Sequence, residues 1–267
     1  MHNEFIPNVH FEQIPIKNLV SSQEYQRNLS IRHIQKTINR FDINQINPIK
    51  VSRRDGQNYV INGQHTVEII RAVSGSGETP VWCMIYDNLA YKVEADIFAN
   101  QQKCSKPLSP YEIFMAHIEA GNDDQIVIKN VVESYDLKLS PGRSLCAICA
   151  ISCLEQIYFK HGYDNLNRTL RLIVFAWQGE PMSLSASIMR SVSFLIHIYD
   201  EAIKDDVFRE RFSNINATEI LRIGKSRRPG TLGYAEAMVL HYNKNKKSPL
   251  LMGWLENKSG SHESAVK

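Results

Sequence analysis

Between Tyr59 and Glu68 the sequence reads Tyr-Val-Ile-Asn-Gly-Gln-His-Thr-Val-Glu. An apolar run of strand character stops at Asn62-Gly63, and helical spacing of apolar residues resumes at Thr66. A strand that ends in glycine and passes into a helix within two residues leaves little freedom to its surroundings. The strand must be paired and buried, and the first turn of the helix points backbone N–H groups and its positive end outward. Such a turn is a generic anion site. Gln64 and His65 stand at its mouth, where they meet either a phosphate or a base edge. The alternative is an ordinary turn carrying two solvated polar residues.

The neighbouring segments build an α+β half around this turn. Ile14-Pro15-Ile16 opens a strand, and Ser30 is placed as the N-cap of a helix over 31–41 with Ile31, Ile34 and Ile38 on one face. Pro48 to Ser52 alternates as a half-buried strand does. The turn Arg54-Asp55-Gly56-Gln57 returns the chain through Tyr59-Val60-Ile61. Pro80 to Tyr86 reads as a central strand, Tyr91 to Ala99 as a helix, and Ser109-Pro110 as the start of another. Beyond Gly121 the pattern is helical, with segments expected at 125–135, 144–161, 166–177, 183–202, 207–211 and 232–241. The expected division is an α+β domain over 1–120, an all-helical domain over 121–256 and a disordered tail over 257–267.

Composition excludes several classes. The 267 residues are 43% hydrophobic with a formal net charge of +3, which is ordinary for a globular protein and far from a polycation. No stretch reaches the roughly 18 apolar residues that a spanning helix needs. The amino terminus lacks the basic-then-apolar order of a signal peptide. Five cysteines, three of them within eight residues, do not form a disulfide framework and suit free thiols in a reducing, cytoplasmic setting. Cys146, Cys149 and Cys153 fall on one face of the expected 144–161 helix. With apolar neighbours and no fourth ligand, they are assigned to core packing and not to a metal.

The order of short boxes around the turn resembles the N-terminal domain of the ParB/sulfiredoxin superfamily. The boxes are Tyr25-Gln26-Arg27, Asn47-Pro48-Ile49-Lys50-Val51, Ile61-Asn62-Gly63-Gln64-His65, Phe98-Ala99-Asn100-Gln101-Gln102-Lys103 and Leu108-Ser109-Pro110-Tyr111-Glu112. The resemblance covers roughly residues 12–118 and is nearest to relatives of phage or mobile elements with a D-G-Q-type turn. It implies a ParB/sulfiredoxin-like fold followed by an all-α domain, and a nucleotide pocket made by Arg27, Gly63, Gln64, His65, Thr66, Asn100, Gln102 and Lys103, with Mg²⁺ accompanying the nucleotide. The family's G-E-R-R turn is here Gly63-Gln64-His65-Thr66, which replaces both arginines and so removes bidentate phosphate ligands. The acidic position of the second box is Ala99. Sulfiredoxin chemistry is excluded because its nucleophilic cysteine is Gln64 here.

Three functions stay open at this point. The leading one is a DNA-associated, ParB-like protein of a phage or mobile element with non-specific or weakly specific nucleic-acid binding, for which a homo-oligomer stays open. A nucleotide hydrolase or nuclease is the second, with His65 and Glu68 as candidate catalytic groups. An adaptor with a degenerate pocket is the third. For nucleic acid, the expected positive surface is Arg222, Lys225, Arg227, Arg228, Lys244, Lys246 and Lys247, with Tyr234 and Tyr242 nearby for stacking. The 125–154 segment does not suit a helix-turn-helix, because its second half is nearly all Cys, Ala, Ile and Leu.

Overall fold

The computed structural model describes residues 7–21, 28–101, 106–244 and 248–255. The chain divides into two compact units, Met1–Pro107 and Leu108–Lys267. Each has its own hydrophobic core, and together they make a mixed α/β protein.

The first unit is built on a five-stranded sheet. Its strands are β1 (His10–Pro15), β2 (Leu19–Ser21), β3 (Ile49–Arg54), β4 (Gln57–Asn62) and β5 (Pro80–Asp87), in the spatial order β1-β5-β3-β4-β2. The β3–β4 hairpin turns through Asp55 and Gly56, both at positive φ (53° and 72°). That is the two-residue turn whose twist matches paired strands. β3 and β5 are parallel neighbours at the centre, and Val51, Val60, Cys83 and Ile85 are fully buried there. Helix α1 (Ile31–Ile38) starts at Ser30, whose Oγ accepts the His33 N–H at 3.3 Å, as an N-cap does. Helix α2 spans Gln64–Ser74 and packs Val67 and Ile70 against the sheet, while α3 (Tyr91–Gln101) lies over β4. Glu94 of α3 is wholly buried and accepts from Arg54 Nε at 2.7 Å; Arg54 also lies 3.9 Å over the Tyr59 ring. This charged hydrogen bond pins α3 to the hairpin and holds the Arg54 guanidinium above its ordinary pKa.

The second unit is mainly helical: α4 (Pro110–Glu119), α5 (Asp123–Glu133), α6 (Ile151–Trp177), α7 (Ala186–Tyr199), α8 (Asp205–Phe212), α9 (Ala217–Arg227) and α10 (Gly230–Asn243). Helix α4 opens with a capping box in which Ser109 and Glu112 satisfy each other's backbone N–H groups. Helix α6 is interrupted at Gly162 (φ 83°, ψ 176°), which separates the two helices expected on either side of it.

Two expectations need correction here. The C-terminal half is not purely helical, because β6 (Lys138–Leu139) and β7 (Ala147–Ile148) form a short parallel pair. The same pair destroys the shared helical face of the cysteines. Cys146 sits at φ 54° and feeds β7, so only Cys153 lies on α6. Cys153 is buried, but Cys146 and Cys149 are only half-buried. Helix periodicity counted across a segment that the backbone breaks has no spatial meaning. Helix α9 is the other surprise. Its run of Arg and Lys reads as a surface stretch, but Ala217 and Ile220 are buried and Asn216 caps it by accepting the Glu219 N–H at 2.8 Å.

Candidate functional site

Gly63 carries the geometry of the site. It is the N-cap of α2 at φ 108°, a conformation that side chains disfavour, and a Cβ there would stand 3.3 Å from both Ile49 Cγ1 and Cγ2. As a glycine, Gly63 has no side chain with which to cap this helix end. The positive end of α2 is therefore presented without an internal carboxylate or hydroxyl at the N-cap.

A cavity of about 320 Å³ opens beside this turn, lined by α1, the 3-10 turn Ile43–Gln45, the segment that leads into β3, the end of β4 and the first turns of α2. That volume is at the lower end for a small-ligand site and suits a phosphate-bearing group. Gly63, His65 and Thr66 line it together with Asn62, His33, Thr37 and Arg40. His65 Nε2 accepts the Ser30 backbone N–H at 3.0 Å, which ties the first turn of α2 to the N-cap of α1. The His33 and His65 rings meet edge to face at 5.5 Å. Asp42 is the one carboxylate lining the cavity among the described residues, and it is turned to local work: Oδ1 accepts from the Asn44 N–H and Nδ2, and Oδ2 from Gln45 Nε2. Arg40 has no carboxylate partner among the described residues.

The expected pocket residues separate accordingly. Gly63, His65 and Thr66 come together. Gln64 begins α2 but does not line the cavity, and neither does Asn100, whose Nδ2 donates to Asp96 Oδ1 at 2.8 Å one turn back on α3. Arg27, Gln102 and Lys103 lie outside the described residues. Glu68 is held by Arg71 Nη1 at 2.6 Å on the outside of α2 and does not line the cavity. Arg40, His33 and Thr37 were missed. The available signal was the spacing His33-x3-Thr37-x2-Arg40 inside a stretch from Tyr25 to Phe41 that contains no acidic residue.

The basic residues expected to meet nucleic acid are largely engaged within their own unit. Arg222 donates twice to Glu219, at 2.6 and 2.8 Å, and holds that carboxyl below its usual pKa. Arg227 Nε lies 3.1 Å from Glu236 Oε2, and Arg228 Nη2 bonds the other oxygen of the same carboxylate. Glu236 is almost completely buried where α9 crosses α10. The approach of those helices is close: a Cβ on Gly224 would fall 2.4 Å from Tyr234, and one on Gly233 would fall 2.1 Å from the Arg228 carbonyl. Tyr242, expected as a stacking surface, is buried, and its hydroxyl accepts the Lys204 N–H at 2.9 Å. Lys225 and Lys244 are described, and Lys246 and Lys247 lie outside the described residues. Among the described residues, no group of three His, Cys, Asp or Glu side chains is arranged to hold a metal ion, and no helix is long and apolar enough to cross a membrane.

Comparison with known proteins places the sequence. A family model described as a family of unknown function, DUF6551, matches residues 20–252. The chain belongs to that family. No curated protein matches it. Among solved structures it is similar to the C-terminally truncated chromosome-partitioning protein ParB from Caulobacter crescentus complexed with CTP-gamma-S. The identity is 13% and the TM-score 0.36, over 88% of this chain and 98% of that one. A likeness at that level assigns no ligand to a DUF6551 member. The chemistry of its cavity has to be read from its own residues.

Proposed function

We propose that the first unit is a phosphate-anchoring module for a nucleotide, in a protein of ParB-like fold that associates with nucleic acid. The observation that carries this reading is the convergence on one cavity of Arg40, which has no carboxylate partner among the described residues, with the positive end of α2 at Gly63. Thr37, Thr66 and His33 add polar contacts around the same space. Arginine supplies two parallel donors to a phosphate, so Arg40 takes the role that the turn itself lacks at His65 and Thr66. The succession of sequence boxes around Gly63 supports the same family of folds. Any Mg²⁺ would depend largely on phosphate oxygens and water, since Asp42, the one carboxylate in the cavity among the described residues, is already engaged.

Binding suits this geometry better than catalysis. A general base needs a free lone pair within reach of a substrate proton. His65 Nε2 already accepts a backbone N–H, and Glu68 is paired on the outside of its helix. The test is a thermal-shift panel of pyrophosphate and nucleoside triphosphates, with and without Mg²⁺. A ligand that binds the folded state raises the midpoint with concentration. A shift by pyrophosphate that vanishes in Arg40→Ala supports the module. No shift at millimolar ligand contradicts it.

A further inference from the structure

From Tyr25 to Phe41 the chain carries Arg27, Arg32, His33, Lys36 and Arg40 and no acidic residue. Arg32 and Lys36 are four apart on α1, so they lie on one side of the helix about 6 Å apart along its axis. Arg40 follows four residues later, just past the end of α1, at the rim of the cavity. Arg32, Lys36 and Arg40 are all exposed, and none has a carboxylate partner among the described residues. The opposite side of α1 is partly covered: Ile34 and Ile38 are half-buried where α1 packs on α2, and Ile31 at the start of the helix is exposed. The arginines of the second unit contrast with this, since Arg222, Arg227 and Arg228 are already bonded to carboxylates.

We propose that this edge of α1 is a landing surface for the sugar-phosphate backbone of duplex DNA. Three unneutralised cations over roughly 12 Å of axis match the closely spaced charges of a DNA strand. A membrane is the poorer fit, because a helix that lies on lipid needs a free apolar face, and on α1 Ile34 and Ile38 are half-buried, which leaves Ile31 as the exposed apolar residue of the helix. A single strand is also poorer, since such strands are held by stacking on aromatic side chains, and the outward residues Arg32, Gln35, Lys36 and Asn39 include none. The contact reads no sequence, as phosphate contacts alone carry none. It rests on the reading of the cavity only through Arg40, which both ligands share, so DNA and a nucleotide phosphate compete for one guanidinium.

The experiment is fluorescence anisotropy of the full chain with two labelled duplexes of unrelated sequence, titrated with salt. Pyrophosphate binding is measured on the same samples by calorimetry. Neutralising three phosphates gives a log–log salt slope of about −2.7, and Arg32→Ala/Lys36→Ala should reduce it to about −0.9 on both duplexes. Pyrophosphate affinity should stay unchanged in that variant, because both side chains are exposed and neither lines the cavity. Arg222→Ala should leave the DNA slope as it is. Wild-type slope and affinity in Arg32→Ala/Lys36→Ala would overturn the proposal. So would no binding to either duplex at 25 mM salt, or tighter binding to phosphatidylserine vesicles or to a single strand than to duplex. Absence of pyrophosphate binding with the DNA result intact would remove the nucleotide reading and leave this one standing.

Discussion

The buried carboxylate of Glu236 makes an asymmetric prediction. Its side chain is 6% exposed, while Arg227 and Arg228 are 37% and 39% exposed. Glu236→Gln leaves two arginines that water can still reach, so solvent screening limits the loss to about 1–2 kcal/mol. Arg227→Met/Arg228→Met removes the same contacts but strands a charge away from water. Breaking a buried pair from that side costs about 3–5 kcal/mol. Adding Glu236→Gln to the double variant should then recover stability, which is the signature of coupling within one network. Urea unfolding followed by tryptophan fluorescence is the assay. Trp177 reports the second unit: its ring is buried and its Nε1 donates to the Ile215 carbonyl at 2.8 Å. A double-methionine variant as stable as Glu236→Gln, or no recovery in the triple variant, would refute the reasoning.

Other outcomes follow from the same geometry. Gly63→Ala should lose about 1–3 kcal/mol, from the left-handed backbone and the pressure on Ile49, read as a lower urea midpoint. Gly224→Ala should destabilise the second unit more than an ordinary surface change does, because its Cβ would meet Tyr234 at 2.4 Å, and circular dichroism melts would show it. Burial pushes the Cys83 and Cys153 thiols up to about 11 from an ordinary value of 9.0. The folded chain keeps these protons where the unfolded chain releases them, so their contribution to stability is full below about pH 9 and falls as pH rises toward 11. With a thiol reagent at pH 8, Cys146 and Cys149 should react before Cys83 and Cys153, as mass-spectrometric mapping would show.

Much of the first unit was legible because its signals are local. Asp55-Gly56 dictates a hairpin, Gly63 dictates a strand-to-helix turn, and Ser30 and Ser109 cap the helices that follow them. β1 begins earlier than its sequence suggests, because its partner β5 supplies the pairing: His10 and Phe11 are exposed and carry no apolar pattern of their own. The cysteine face was illegible for the converse reason. A two-residue strand pair and a left-handed Cys146 are decided by contacts with distant backbone, such as the Cys146 N–H donating to the Gly179 carbonyl at 3.0 Å. Helix α9 was hidden by its charge, since the pairing of Arg227 and Arg228 with Glu236 depends on a residue in the next helix. Of the residues that line the cavity, Gly63, His65 and Thr66 were named from the sequence and Arg40 was not, since Arg40 reaches the cavity through the packing of α1 on α2.

Arg40, which has no carboxylate partner among the described residues, and the positive end of α2 are proposed to form one phosphate site. Titration calorimetry of pyrophosphate into the full chain tests it most directly, with Arg40→Ala and Arg222→Ala beside the wild type. Loss of a charge-assisted contact worth about 1.5–3 kcal/mol should weaken binding roughly 10- to 150-fold in Arg40→Ala. Arg222→Ala, whose guanidinium is committed to Glu219, should bind as the wild type does. Equal pyrophosphate affinity in the wild type and Arg40→Ala would contradict the account.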